Sequence, residues 1–196
     1  MVILYGSMGT GMFLLNFSSP VNFQPFILVS VITSAALIPI LLTKKKPPTF
    51  KRIKAMTLKD LYEASPFGMV SSFFYGTIQA ALFTLLAVYA TSMNFTILEI
   101  SIVTFLLAIS GAISQFPVGK LSDKYDRRLV IVISTFGASA FALFAILVSR
   151  QMYLPEGLAT SKTWFYVFLI LFSFCSLPMF SQILAHTNDY IPKEKF

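Results

Sequence analysis

Long apolar runs with few or no charged residues constrain this chain more than any other feature. Residues 23–42 contain no Asp, Glu, Lys or Arg, and apolar runs of similar length recur at 68–90, 97–118, 129–148 and 164–185. About 20 apolar residues in a helix cross the hydrocarbon core of a bilayer. A soluble domain of 196 residues that is 56% hydrophobic would lack polar residues to cover its surface. The sequence therefore predicts an all-α integral membrane protein.

The number of spans follows from the lengths of these runs. Residues 2–17 form a shorter, glycine-rich run, which we expect to be the remaining part of a span that begins outside this sequence. With the five longer runs, it predicts about five full transmembrane helices plus one partial N-terminal helix. Pro178 lies within the last run and should kink that helix, because proline has no N–H to donate.

Basic residues are distributed very unevenly between the two sides that alternating spans define. Thirteen of the 15 lie in residues 43–67, 119–128 and 186–196, whereas the other side receives only Arg150 and Lys162. Lys and Arg collect in cytoplasmic loops, so these three segments are expected in the cytoplasm. The net charge of +7 therefore indicates loops beside lipid headgroups. A nucleic-acid partner is not expected, because no aromatic-interleaved basic surface is visible.

The basic linker ends in a segment with helical features. Thr57 and Asp60 have the spacing of a capping box, and Leu58, Leu61 and Tyr62 would share one helical face. A short helix at the membrane surface and a solvated linker both explain this pattern, and the residues do not decide between them. A second Thr-x-x-Glu capping box is expected at the start of the run 97–118.

Residues 119–128 form a charged segment between two apolar runs. They read Gly-Lys-Leu-Ser-Asp-Lys-Tyr-Asp-Arg-Arg, and six of the ten are charged in a chain that is 12% charged overall. The pattern G-x-x-x-D-K-x-x-R-R resembles the cytoplasmic loop motif of the major facilitator superfamily of transporters. Residues 114–123 and 183–190 are similar to its bacterial YcaD-like branch.

The resemblance implies a position within the family's fold. In that family the motif recurs between the second and third helices of each six-helix half, and here a long basic linker lies two spans before it. The chain thus resembles helices 5 to 10 of 12. Residues 1–43 would end the N-terminal bundle, residues 44–67 would be the linker between bundles, and residues 68–196 would form helices 7 to 10.

The resemblance also implies roles for the charged segment. Asp123 would contact the start of helix 11, expected beyond Phe196, and so latch the cytoplasmic side closed. The alternative is that Asp123 or Asp126, which replaces a frequent glycine, only caps a helix while the arginines only set topology. We expect the helix of 97–118 to end tightly at the glycine of the motif. The proposed gating loop comprises Gly119, Asp123, Lys124, Arg127 and Arg128.

Polar residues within the apolar runs are candidates for a solute cavity. In this family helices 7 and 10 line the cavity, which nominates Tyr75, Gln79, Ser176 and Ser181. Gln79 lies where a lipid-facing amide would be costly, and a solute contact and a hydrogen bond between helices explain it equally. Gly111 and its neighbouring serines are expected to allow close helix packing. His186 and Asp189 are candidates for a cytoplasmic gate with either arginine of the motif.

These features favour one class of function. The leading hypothesis is a secondary active transporter of an unidentified small solute, monomeric when full length, in a bacterial inner membrane, with a proton as a candidate coupling ion. The alternative is a non-transporting sensor or scaffold that retains the same fold. An enzyme is not expected, because no nucleophile–base pair is visible. One cysteine (Cys175) and one histidine (His186) exclude a disulfide framework and a multi-histidine metal site, and no cofactor is expected.

Overall fold

The structure is a computed structural model that describes residues 1–14, 22–43, 57–151 and 158–191, and throughout these ranges the regular elements are α-helices. The described part contains α1 (Val2–Leu14), α2 (Gln24–Leu42), α3 (Leu58–Ala64), α4 (Pro66–Ser92), α5 (Ile97–Lys124), α6 (Arg127–Gln151), α7 (Leu158–Ser176) and α8 (Met179–Tyr190). Most basic residues of the linker, and those at 193 and 195, lie outside the described residues.

Within the described residues, four segments are long and apolar enough to cross a membrane. They are α4, α5, α6 and the pair α7–α8, taken together as Ser161–Tyr190. The 19 residues of α2 would extend about 28 Å, close to the thickness of the hydrocarbon core, and α1 is a shorter apolar helix of 13 residues. The prediction of an all-α membrane bundle fragment is confirmed.

Helix α5 lies at the centre of the bundle. α1 and α7 both pack along it, α6 packs against α7, and α8 packs against α4 and α6. Leu107 of α5 is completely buried in a cluster with Leu86, Phe95 and Phe165, which come from α4, the α4–α5 turn and α7. This central position explains why so many small residues of α5 are buried.

The turn between α4 and α5 is built from local signals. Asn94 has a positive φ of 58°, a conformation in which asparagine commonly ends helices. Thr96 and Glu99 then form the predicted capping box, in which each side chain bonds the other's backbone N–H. The capping box predicted from Thr57 and Asp60 is likewise confirmed at the start of α3.

The junction between α5 and α6 corrects one prediction. α5 does not end at Gly119 but remains helical through Lys124, so only Tyr125 and Asp126 separate the two helices. Gly119 has open space around it in the described residues, because no atom would lie within 4 Å of an added Cβ. Extended backbone at Tyr125 ends α5, and the Arg128 N–H donates to Asp126 Oδ1 at 2.8 Å, which caps α6.

The last apolar run is divided at the predicted proline. α7 ends at Ser176, α8 begins at Met179, and Leu177 and Pro178 form a turn between them. The polar flanks of the run also continue the helices, from Leu158 to Tyr190, beyond the predicted range of 164–185. The break lies near the middle of this span and exposes backbone groups that a continuous helix would satisfy itself.

Candidate functional site

The break between α7 and α8 gathers hydroxyl groups from two other helices. The hydroxyls of Tyr5 and Tyr75 lie 3.2 and 3.3 Å from the carbonyl oxygen of Leu177, and 3.3 Å from each other. Tyr5 comes from α1 and Tyr75 from α4, and both are more than 90% buried. We call Tyr5, Tyr75 and the Leu177 carbonyl the tyrosine site. Irregular backbone at membrane depth is tolerated where protein groups satisfy it, as they do here.

Gln79 extends the tyrosine site by one helical turn. Its Nε2 donates to the Tyr75 hydroxyl in the same helix, so Gln79 reaches α1 and α7 only through Tyr75. Among the described residues, Gln79 makes no direct hydrogen bond to another helix, so this explanation is not supported there. Its Oε1 is buried and has no hydrogen-bond partner among the described residues. The amide therefore leaves one acceptor free beside the helix break.

The two serines predicted for the cavity lie in different places. Ser176 is buried and lines an apolar groove of about 520 Å³ between α4, α6 and the α7–α8 pair, which Tyr75 also lines. Ser181 instead faces α5, where its Oγ lies 2.7 Å from Gln115 Oε1 and 2.8 Å from the Pro178 carbonyl oxygen. Gln115, which the sequence reasoning missed, has a buried Nε2 without a partner among the described residues.

Small residues allow α5 and α7 to pack closely next to the break. A Cβ added to Gly111 would lie 2.7 Å from the Leu177 Cβ, so this contact requires glycine. Ser173 Oγ donates to the Leu107 carbonyl at 2.6 Å, and Ser110 Oγ donates to the Ile170 carbonyl at 2.9 Å. The predicted close packing at Gly111 is thus observed, and its partner is the residue whose carbonyl forms the tyrosine site.

Charged and aromatic residues meet at the end of the bundle that carries the α5–α6 junction. Arg127 Nη1 lies 3.3 Å from Asp189 Oδ2, and Arg128 Nη2 donates to the Tyr190 hydroxyl at 2.6 Å. The His186 ring is buried, with its centroid 4.9 Å from that of Tyr190 and 5.2 Å from that of Phe67. The four candidates for a gate are thus brought together. Each arginine precedes its contact residue in α8 by 62 positions in the sequence.

Asp123 has a different environment from its neighbours. It is exposed and makes no ion pair or hydrogen bond with any described residue, although it lines a polar recess of about 520 Å³ with Asp126, Arg127 and Asp189. The Lys124 ammonium lies 5.6 Å from the centroid of the Tyr125 ring. Asp126 caps α6, whereas Asp123 caps no helix among the described residues. Helix capping therefore explains the carboxylate of Asp126 but not that of Asp123.

An ion pair that the sequence reasoning missed lies at the opposite end. Lys162 Nζ is 3.0 Å from Glu99 Oε1 and 4.5 Å from the centroid of the Phe95 ring. Both side chains are partly buried, with 21% and 32% of their surface exposed, so the pair is less exposed than an ordinary surface pair. The sequence contained a signal for this pair. Charged residues are scarce on that side of the membrane, and Lys162 is one of the two basic residues assigned to it.

These features define a class of protein: a multi-pass helical membrane protein with one span interrupted near its middle and a charged junction at one end. The family model of the Major Facilitator Superfamily matches residues 2–196, and the chain belongs to this family. The uncharacterized MFS-type transporter YfkF of Bacillus subtilis (strain 168) is 32% identical over 116 residues. This match covers 55% of the chain and 30% of YfkF. No solved structure matches the chain.

Proposed function

We propose that the chain is part of a secondary transporter that moves a small solute across a bacterial inner membrane by alternating access. The observation that carries this proposal is the tyrosine site, where an interrupted span offers its backbone carbonyl to side chains of two other helices. Interrupted helices near the membrane midplane form solute sites in many transporter folds. Membership of a transporter family and similarity to an MFS-type transporter support the proposal.

Under the proposed division of the chain, the tyrosine site would lie between the two bundles. Residues 1–43 would end the N-terminal bundle, 44–67 would link the bundles, and 68–196 would form helices 7 to 10 of a YcaD-like transporter. Tyr5 would then belong to one bundle, while Tyr75 and Leu177 belong to the other. Rocking of one bundle against the other would break the contacts of Tyr5 and leave Tyr75 as the remaining partner of the Leu177 carbonyl.

The solute would bind where these bonds open. Tyr75, the free Gln79 Oε1 and Ser176 are the proposed contacts, and Ser181 would hold α8 against α5 through Gln115. A coupling proton is part of the proposal, but none of these four side chains carries a charge at neutral pH, so its carrier would be another residue.

The charged junction would form the cytoplasmic gate. The pairs Arg127–Asp189 and Arg128–Tyr190 would hold α6 to α8 beside the buried ring of His186. Asp123 would complete the latch by meeting the positive end of a further helix. The exposure of Asp123 and its lack of any partner in the described part of the chain support this assignment.

The test is solute uptake into vesicles by the full-length transporter carrying Asp123→Asn, with Asp126→Asn as the matched control. A carboxylate at a helix end contributes about 0.3–2 kcal/mol, so Asp123→Asn should slow uptake by roughly 2- to 30-fold. Asp126→Asn should retain uptake, because asparagine also caps helices. Normal uptake by Asp123→Asn would contradict the latch.

The same vesicles test the broader proposal. The 196-residue chain alone should show no saturable uptake, because its bundles would lack helices, and saturable uptake would contradict the proposed division. A full-length protein that moves no solute but retains a bound partner protein would favour a sensor or scaffold.

A further inference from the structure

Helix α3 presents an apolar stripe that no described residue covers. Leu58 is 73% exposed and Tyr62 is 51% exposed, and residues four apart lie on one helical face. Lys59 and Glu63 form the adjacent stripe, where their charged ends lie 3.9 Å apart in water-accessible positions. A stripe of leucine and tyrosine beside a charged stripe is typical of helices that lie in a membrane interface.

Local hydrogen bonds stabilise the start of α3 and its junction with α4. Its capping box bonds the Thr57 hydroxyl to the Asp60 N–H and the Asp60 carboxylate to the Thr57 N–H, at 3.2 and 3.0 Å. Ser65 alone separates α3 from α4, and its buried hydroxyl accepts from the Gly68 N–H at 3.3 Å. α3 also packs directly on α4. It therefore has a set angle and height relative to the span.

The length of α4 gives that height. Its 27 residues extend about 40 Å, whereas the hydrocarbon core is about 30 Å thick. If the span is centred, its first residue stands about 5 Å outside the hydrocarbon, at the level of the lipid headgroups. α3 ends at Ala64, one residue before this point, so its last turn with Tyr62 starts from the headgroup level. A helix that runs from there along the membrane surface brings the Leu58 and Tyr62 side chains within reach of the acyl-chain boundary.

We propose that α3 is an interfacial anchor whose Leu58 and Tyr62 side chains insert into the lipid bilayer at the boundary between headgroups and acyl chains. Lys59 and Glu63 remain in the headgroup layer. The lipid contact covers the apolar stripe and holds the start of α4 at a fixed depth. This role does not depend on which solute is moved, or on whether one is moved.

The chain has one tryptophan, so a single indole can report on α3. In a Trp164→Phe background, Tyr62→Trp places the reporter on the apolar stripe, and Glu63→Trp places it on the charged stripe as the matched control. Both proteins are reconstituted in phosphatidylcholine vesicles that contain lipid brominated near the headgroup end of an acyl chain. The indole at position 62 should emit at shorter wavelength and lose severalfold more emission to the bromines than the indole at position 63.

Each other result overturns the proposal. Long-wavelength emission without quenching at position 62 would mean that the stripe faces water. Short-wavelength emission without quenching would mean that protein covers it, either another segment or a second copy of the chain. Equal quenching at positions 62 and 63 would mean that α3 lies near lipid without the proposed orientation. Because uptake is not measured, failure here leaves the transport proposal intact.

Discussion

Removal of the Tyr75 hydroxyl should destabilise the bundle more than removal of the Tyr5 or the Tyr89 hydroxyl. This hydroxyl lies 3.3 Å from both the Tyr5 hydroxyl and the Leu177 carbonyl oxygen, and it accepts a hydrogen bond from Gln79. Hydrogen bonds between helices in membranes average about 0.6 kcal/mol, and distances of 3.3 Å are long for O–H donors. The two hydroxyl protons can make only two of the three contacts, and Tyr5 can still donate to the Leu177 carbonyl when Tyr75 is replaced. The change therefore removes one interhelical bond, worth roughly 0.6 kcal/mol. The Gln79 amide left without a partner adds about 1 kcal/mol, so Tyr75→Phe should cost about 1.5 kcal/mol.

The comparison among three tyrosines makes this reasoning testable. Tyr5→Phe should cost only about 0.5–1 kcal/mol, because Tyr75 still donates to the Leu177 carbonyl. Tyr89→Phe is the matched control in the same helix as Tyr75, since its hydroxyl has no hydrogen-bond partner among the described residues, and it should change stability by less than about 0.5 kcal/mol. The assay is reversible unfolding in mixed micelles of dodecylmaltoside and dodecyl sulfate, followed by circular dichroism. A Tyr75→Phe variant as stable as Tyr89→Phe would refute the assigned bonds.

Two further pairs of substitutions test the packing at the break and the capping at the junction. Gly111→Ala should lower the free energy of unfolding by about 1–2 kcal/mol, because the added methyl would overlap Leu177 and force α5 and α7 apart. Gly76→Ala, which has open space around it, should be neutral or stabilising by up to about 1 kcal/mol, and the same result for both glycines would contradict the close contact. Asp126→Ala should cost about 1 kcal/mol through loss of the bond to the Arg128 N–H, whereas Asp126→Asn should cost little. Equal losses in the alanine and asparagine variants would show that charge, rather than capping, is what Asp126 contributes.

Spans and helix starts were predictable because their signals are local. Run length sets the number of spans, and the capping boxes at Thr57 and Thr96 need only residues three positions apart. The helix break at Pro178 was predictable for the same reason, because proline itself lacks the N–H that a continuous helix needs. These features do not depend on which helices become neighbours.

The tyrosine site could not be predicted, because it depends on which helices meet. Tyr5 and Leu177 are 172 residues apart, and nothing in the first apolar run distinguishes Tyr5 from an interfacial aromatic residue. The break at Pro178 implied that a carbonyl would need a partner, but the sequence does not say which helix supplies it. Gln115 was missed for the same reason, since its partner Ser181 lies on another helix.

The error at Gly119 has a physical cause that sharpens the proposal for Asp123. A glycine favours helix ends only when the backbone must turn, and here Tyr125 supplies the turn while Gly119 remains inside α5. Asp123 therefore lies on the last turn of a helix, where the helix dipole disfavours a carboxylate and the adjacent lysines only offset that effect. A residue that caps nothing, pairs with nothing described and sits at the unfavourable end of its helix is poorly explained by the stability of α5. A partner that it meets in only one conformation would explain its charge, and this is the property that the proposed latch requires.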